Sequence, residues 1–387
     1  MLRRNNCPSA SKCNILHVSF LVLVLSTLTL LALSSLGWIS LSLVGPKTEI
    51  HYMVSALSRI LGKGRSTIRN NETDQLVLEA YNNFTKIWTA TSKNCSISTT
   101  SLPESNSTQE HQGTFHVYEY LINEPDKCKD DAPFLVLLVT VERQQKEARQ
   151  AIRQTWGKEN VPPGIKVLRL FFIGKDAQWS NDSQMSLVEE SQEYHDIIQQ
   201  DYLDVYRNLT EKVLMGLYWV ATYCKSAIYV MKTDSDMFVN TEYLIHSILK
   251  PDQPPRLNYF TGYLMVNEGP NRNKDSKWYA SPEEYPENQY PLYCSGTGYV
   301  FSSDLACKIA EISPTVRWFY LEDVYIGLCL KKLGLEPVAS PNRGDFNLWK
   351  VAYSDCIYKQ IVTSHQLKPW EIIDYWNRLQ QNKHKCA

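Results

Sequence analysis

The sequence predicts an α/β fold with a mostly parallel sheet, set behind a single transmembrane helix and a stem. Two patterns predict the folded part. Continuous apolar runs of strand length alternate with segments of helical length beyond residue 114, and a carboxylate pair, Asp234-Ser235-Asp236, closes one of those runs. A third pattern predicts the anchor. No Asp, Glu, Lys or Arg occurs between Cys13 and Pro46, and about 20 such residues cross a bilayer. The run is also longer than the roughly 7–15 apolar residues of a cleaved signal peptide. The expected division is a tail at 1–14, a signal-anchor at 15–44, a stem at 45–113 and a folded domain at 114–387.

Composition narrows the class. The 387 residues are 43% hydrophobic and 21% charged, enough to bury a substantial core, and a net charge of -1 gives no electrostatic case for nucleic acid. Basic residues flank the anchor on both sides, so the positive-inside rule votes weakly. The sequons decide the orientation: Asn71, Asn83, Asn94, Asn106, Asn181 and Asn208 all follow the span and none precedes it. The chain reads as a type II membrane protein whose stem carries four of these sites. Eight cysteines (Cys95, Cys128, Cys224, Cys294, Cys307, Cys329, Cys356 and Cys386) fall on the same side, an even number suited to disulfides. No two have the spacing of a zinc ligand pair.

Element by element, the stem is rich in Ser, Thr and Asn and shows no sustained period, with one short helix conceivable at Asp74 to Ala80. Pro133 to Thr140 reads as a strand covered on both faces, Glu142 to Trp156 as a helix, and Lys166 to Gly174 as a second buried strand. Helices are expected at Leu187 to Gln199 and Leu209 to Cys224, then a strand at Ala227 to Thr233 that delivers the two aspartates. In such sheets ligands sit at the carboxyl ends of the strands. A helix at Glu242 to Leu249, a strand at Tyr259 to Val266 and a long polar loop to about Pro291 follow; Lys277 and Trp278 mark that loop as an ordered binding loop. Ser295-Gly296-Thr297-Gly298 lets the backbone approach a ligand or turn tightly, Glu322-Asp323 opens a helix with acids in its first turn, and His365 ends a strand-like run before a helix from Pro369 to about Gln381.

Two neighbouring aspartates repel unless a cation or a proton separates them. Such a pair suits a divalent metal on the diphosphate of a nucleotide-sugar. Four segments carry a resemblance in the expected order: Glu147 to Gly157, Tyr229 to Asn240, Ser295 to Tyr299 and Glu322 to Tyr325. Together they resemble the motif set of the inverting β-1,3-glycosyltransferases, and within these the β-1,3-galactosyltransferase family, over roughly residues 115–385. The resemblance implies a lumenal GT-A type catalytic domain in the Golgi membrane. It would transfer galactose from UDP-galactose to the 3-hydroxyl of a terminal N-acetylglucosamine, with Mn2+ as cofactor. It implies Asp236 and His365 as metal ligands, and Asp234 on the nucleoside side with Ser235 and Lys232 beside it. Arg149 and Arg153 would lie near the nucleotide, four apart on one helix face. Lys277, Trp278 and the Ser295–Gly298 segment would border donor and acceptor, and Asp323 would be the general base by its place in the motif, with Glu322 as the alternative. Many relatives carry three consecutive aspartates where Ser235 stands here, a departure that leaves the metal ligands in place.

Other readings of the same residues stay open. Glu322 and Asp323 could serve only the helix N-terminus, His365 could be a core histidine, and Arg149 and Arg153 could lie on a solvated face. For the whole chain the rivals are a β-1,3-N-acetylglucosaminyltransferase on the same scaffold and a membrane-anchored lectin or adhesion ectodomain. An aspartate-nucleophile phosphatase is disfavoured because Phe238 stands where those enzymes need Thr or Val.

Overall fold

The computed structural model describes residues 118–129, 132–159, 164–178 and 180–384. The expected anchor, the stem with its possible helix, and the sequons at Asn71, Asn83, Asn94 and Asn106 lie outside the described residues. Among the described residues no helix is long and apolar enough to cross a membrane.

Four strands form the parallel heart of an eight-stranded mixed sheet: β2 (Leu135–Thr140), β3 (Val167–Lys175), β4 (Ile197–Leu203) and β5 (Tyr229–Asp234), in the spatial order β4-β3-β2-β5. Every residue of β2 is buried, as its uninterrupted apolar run requires when helices cover both faces. An edge strand β1 (Tyr120–Ile122) pairs antiparallel with β4. On the other flank β8 (Tyr293–Ser302) runs antiparallel to β5 and to β7 (Phe260–Met265), and β9 (Val338–Ala339) completes the edge. A separate two-stranded ladder joins β6 (Phe238–Val239) to β10 (Thr363–Ser364).

The helices are α1 (Lys146–Gln154), α2 (Asn181–Tyr194), α3 (Leu209–Tyr223), α4 (Thr241–Tyr243), α5 (Asp304–Ile312), α6 (Glu322–Lys332), α7 (Asp355–Tyr358) and α8 (Pro369–Gln381). One apolar cluster packs α3, α5 and α6 against one face of the sheet; a second places Ala151 and Ile152 of α1 and Ile372 and Trp376 of α8 on the other. Close approach of α3 to β2 depends on Gly216, where a Cβ would come within 2.4 Å of Leu138 Cδ1. Cys128 and Cys224 are disulfide-bonded to each other, tying the segment before β2 to the end of α3; Cys307 and Cys356 are each in a disulfide, while Cys294 and Cys329 are buried free thiols.

Three elements depart from the sequence reading. The segment expected as one helix to Gln199 stops at Tyr194, because His195 takes a left-handed conformation with φ 50° and the chain then enters β4. The helix expected from Glu142 begins only at Lys146. Asp304–Ile312, given no element from sequence, is helical, and its apolar residues Leu305, Ala306 and Ile309 are fully buried.

Candidate active site

Asp234 ends β5, opposite Thr140 at the end of β2 in the parallel register, and the Thr140 hydroxyl donates to Asp234 Oδ1 at 2.8 Å. Lys232, two residues earlier and therefore on the same face of β5, is 1% exposed. Its ammonium donates to Asp234 Oδ1 at 2.8 Å, to Glu322 Oε1 at 2.9 Å and to the Gly296 carbonyl. Burial opposes that charge, but the two carboxylates outweigh it and hold Lys232 above the ordinary lysine range. Lys232, expected from the resemblance to lie on the donor side, is thus an internal counter-ion beneath the site.

Glu322 is closed in. Besides Lys232 it accepts from the Tyr299 hydroxyl at 3.1 Å, and burial pushes its pKa up to about 7 even with the ammonium beside it. Asp323, the next residue, is only half-buried. Its Oδ2 accepts from the Gly296 N–H at 3.0 Å and its Oδ1 from the Val324 N–H at 2.9 Å, while burial, the larger effect, raises its pKa. A local bulge makes this geometry. Gly262 of β7 faces Tyr299 of β8 and Leu264 faces Cys294, so Ser295 to Gly298 oppose Tyr263 alone. The bulge turns the Gly296 N–H to Asp323 and its carbonyl to Lys232. A Cβ at Gly296 would lie 2.5 Å from Glu322 Oε1. Gly296→Ala is therefore expected to cost about 1–3 kcal/mol, as overpacking does, measurable as a lowered unfolding midpoint.

His365 arrives from the far end of the chain. Ser364 of β10 pairs with Phe238 of β6, which carries His365 to the start of the β6 segment. Its Nε2 lies 3.3 Å from Asp236 Oδ2, and its Nδ1–H donates to the Leu348 carbonyl at 2.8 Å. That second bond fixes the tautomer and turns Nε2 toward the opening, the orientation of a metal-ligating histidine. Burial lowers the His365 pKa, but the Asp236 carboxylate reverses the effect and the net shift is upward. The buried Trp156 indole donates to the Met237 carbonyl at 3.0 Å and so pins the turn that presents Asp236. Ser235 is buried, its hydroxyl 3.1 Å from Gln145 Oε1.

Arg149 and Arg153 do share a helix face, but it is the inner one. Arg149 is 1% exposed and donates to both oxygens of Glu190 and to the carbonyls of Glu142 and Arg143; Arg153 pairs with Glu190 and, together with Arg169, with Asp196. Burial alone would raise Glu190 and Asp196, yet the guanidiniums hold both below their usual carboxylate range. The two guanidiniums neutralise buried carboxylates, and Arg149 also grips the loop after β2. Lys277 and Trp278 do lie in an ordered loop. Arg272 staples it by donating to the carbonyls of Ala280 and Tyr285, both at 2.8 Å. Of the two described sequons, Asn181 is exposed at the start of α2, and the Asn208 amide donates to the Leu203 carbonyl at 2.9 Å.

Sequence reasoning gave no role to Thr140, Tyr299, Trp156 or Gln145. Thr140 left a signal as a polar residue ending an apolar run, and Trp156 and Tyr299 stand within the segments that carry the resemblance. Residues 147–341 match the family model described as Galactosyltransferase, and residues 62–136 match one described as the Beta-1,3-galactosyltransferase 2 N-terminus. The chain belongs to the galactosyltransferase family. It is 59% identical over 278 residues to human Beta-1,3-galactosyltransferase 2, a match covering 72% of this chain and 66% of that protein. It is also 51% identical over 269 residues to mouse Beta-1,3-galactosyltransferase 1, covering 70% of this chain and 81% of that protein. Lys232, Asp234, Asp236, Glu322 and Asp323 lie within the matched residues 147–341, and His365 lies beyond them.

Proposed function

We propose that this galactosyltransferase-family protein moves galactose from UDP-galactose, in β-1,3 linkage with inversion, onto a terminal N-acetylglucosamine of a glycoprotein or glycolipid. The observation that supports this most is the division among four carboxylates. Lys232 takes up Glu322 and one oxygen of Asp234, which leaves Asp236 and Asp323 as the two open acids. Asp323 is held by two backbone N–H groups, with an oxygen lone pair available for the proton of an incoming 3-hydroxyl, the task of a general base. Asp234 Oδ1 is already engaged by Lys232 and Thr140, which turns Oδ2 to the nucleoside side. One displacement converts the α-linked donor into a β-linked product.

A carboxylate oxygen and an imidazole nitrogen at one opening form a donor set that fits manganese, with phosphate oxygens completing it. Asp236 and His365 would hold the ion, and when bound it supplies Lewis-acid neutralisation of the departing diphosphate. The domain so described is of the GT-A type. The Cys128–Cys224 disulfide supports an oxidising compartment, consistent with a lumenal domain on a type II anchor in the Golgi membrane.

The test is a panel of UDP-sugars offered to the full chain in detergent with a terminal N-acetylglucosaminide acceptor, followed by linkage analysis of the product. The expected outcome is consumption of UDP-galactose, a β-1,3 bond, and loss of transfer when manganese is chelated. Preferential consumption of UDP-N-acetylglucosamine would assign the chain to the alternative transferase, and no turnover of any donor would favour a lectin.

A further inference from the structure

Near the segment that leads into Asp323 lies a pair of half-exposed aromatic rings from two different elements. Tyr206, in a single 3-10 turn before α3, is 41% exposed, and Trp278, in the stapled loop, is 48% exposed. Arg207, next to Tyr206, lies 4.1 Å from the centroid of the Tyr320 ring on the segment that leads into Asp323, and the pKa of the Tyr206 hydroxyl is raised by burial first and next by the Asp323 charge. The Lys277 ammonium lies 5.5 Å from the Tyr206 ring centroid and 4.9 Å from that of Trp278. Among the described residues it has these two ring contacts and no hydrogen-bond acceptor or ion-pair partner. The loop is fixed in place from below: the Tyr320 hydroxyl, three residues before Asp323, donates to the Lys277 and Tyr279 carbonyls at 3.2 and 2.8 Å.

Rigid half-exposed rings do little for a monomer's stability, but they offer a flat apolar surface to the C–H face of a pyranose, and an exposed ammonium beside them offers a hydrogen-bond donor. Resting on the transfer reaction assigned above, we propose that Tyr206 and Trp278 form the platform on which the acceptor sugar lies, with Lys277 donating to its acetamido oxygen. Both segments of the platform are held to Tyr320, three residues before Asp323, so a sugar stacked there would lie near the base. Lys277 and Trp278, given from sequence only to a loop bordering donor and acceptor, are thereby assigned to the acceptor alone, with Tyr206 as a partner from a distant segment.

The experiment measures steady-state kinetics of the full chain with methyl β-N-acetylglucosaminide or methyl β-glucoside as acceptor. Saturation-transfer NMR of the same glycosides, which needs no turnover, runs alongside. Trp278→Ala is expected to raise the acceptor KM about tenfold or more, the loss of one stacking contact, while the donor KM moves less than twofold. Trp278→Phe is expected to keep most of the affinity, and Lys277→Met to erode the preference for the acetamido sugar. An unchanged acceptor KM in Trp278→Ala, or a donor KM that rises in step with it, overturns the platform. If the wild type transfers no sugar from any donor, the assigned reaction fails. The NMR arm still decides the platform: glycoside binding lost in Trp278→Ala supports it, and equal binding or none in the wild type overturns it.

Discussion

Asp323→Asn is expected to lower kcat about 10²- to 10⁴-fold, the contribution of a positioned general base, with the KM for donor little changed. An asparagine keeps the size of the side chain and can still accept the Val324 N–H, so the start of α6 is preserved; it cannot accept a proton from a sugar hydroxyl. The Gly296 N–H loses its partner if the amide nitrogen takes the Oδ2 position, a neutral hydrogen bond of about 0.5–1.5 kcal/mol, too little to explain a loss of this size. The pH dependence carries the same assignment. Burial raises the Asp323 pKa, and a base works only when unprotonated. Transfer by the wild type should therefore rise with pH along a limb lying above the ordinary carboxylate range, and the variant should lack that limb. A variant within tenfold of wild type, with the limb intact, would move the base elsewhere.

Which parts of this molecule could be read from its sequence follows from how local their causes are. The buried strands β2, β3 and β5 announce themselves as continuous apolar runs, and α8 begins and ends where Pro369 and the apolar spacing put it. β4 was hidden because its first residues, to Gln199, read as the end of a helix, with Gln200 just beyond it. Both are buried, and their side-chain amides donate to the Gly174 carbonyl and to Met215 Sδ, contacts no local pattern announces. The i, i+4 spacing of Arg149 and Arg153 fixed a shared face but not its direction, which is set by Glu190 and Asp196 some forty residues on. Asp234, Asp236 and Asp323 were legible as acids at element ends. What distinguishes them is Lys232, a residue whose sequence context reads as strand and whose three partners lie on three elements. The approach of His365 to Asp236 likewise depends on the pairing of two-residue strands more than a hundred residues apart.

That lysine makes the second large effect a matter of folding. Lys232→Met should destabilise the protein by about 3–5 kcal/mol, the cost of removing one member of a buried ion pair. Methionine fills the same volume against Tyr299, its cross-strand neighbour, so packing contributes little of the loss. What remains is Glu322, 4% exposed, with the Tyr299 hydroxyl as its donor and no cation beside it. Asp234 suffers less, because its side chain is 35% exposed and can be hydrated. The sign of the pH dependence follows. Glu322 already has a folded pKa of about 7 against an ordinary value of 4.5. An acid raised by folding lends its full share of stability below the lower value and loses it as pH rises through the higher one. Without Lys232 the folded value moves higher still, so the variant should be closest to wild type near pH 5 and furthest from it near pH 8. Unfolding midpoints measured at the two pH values check this. Adding Glu322→Gln to Lys232→Met should recover part of the loss and flatten its pH dependence, since a neutral amide needs no counter-ion. A double variant whose losses simply add, with the pH dependence unchanged, would mean that the pair is not coupled and that another group sets the charge balance beneath the site.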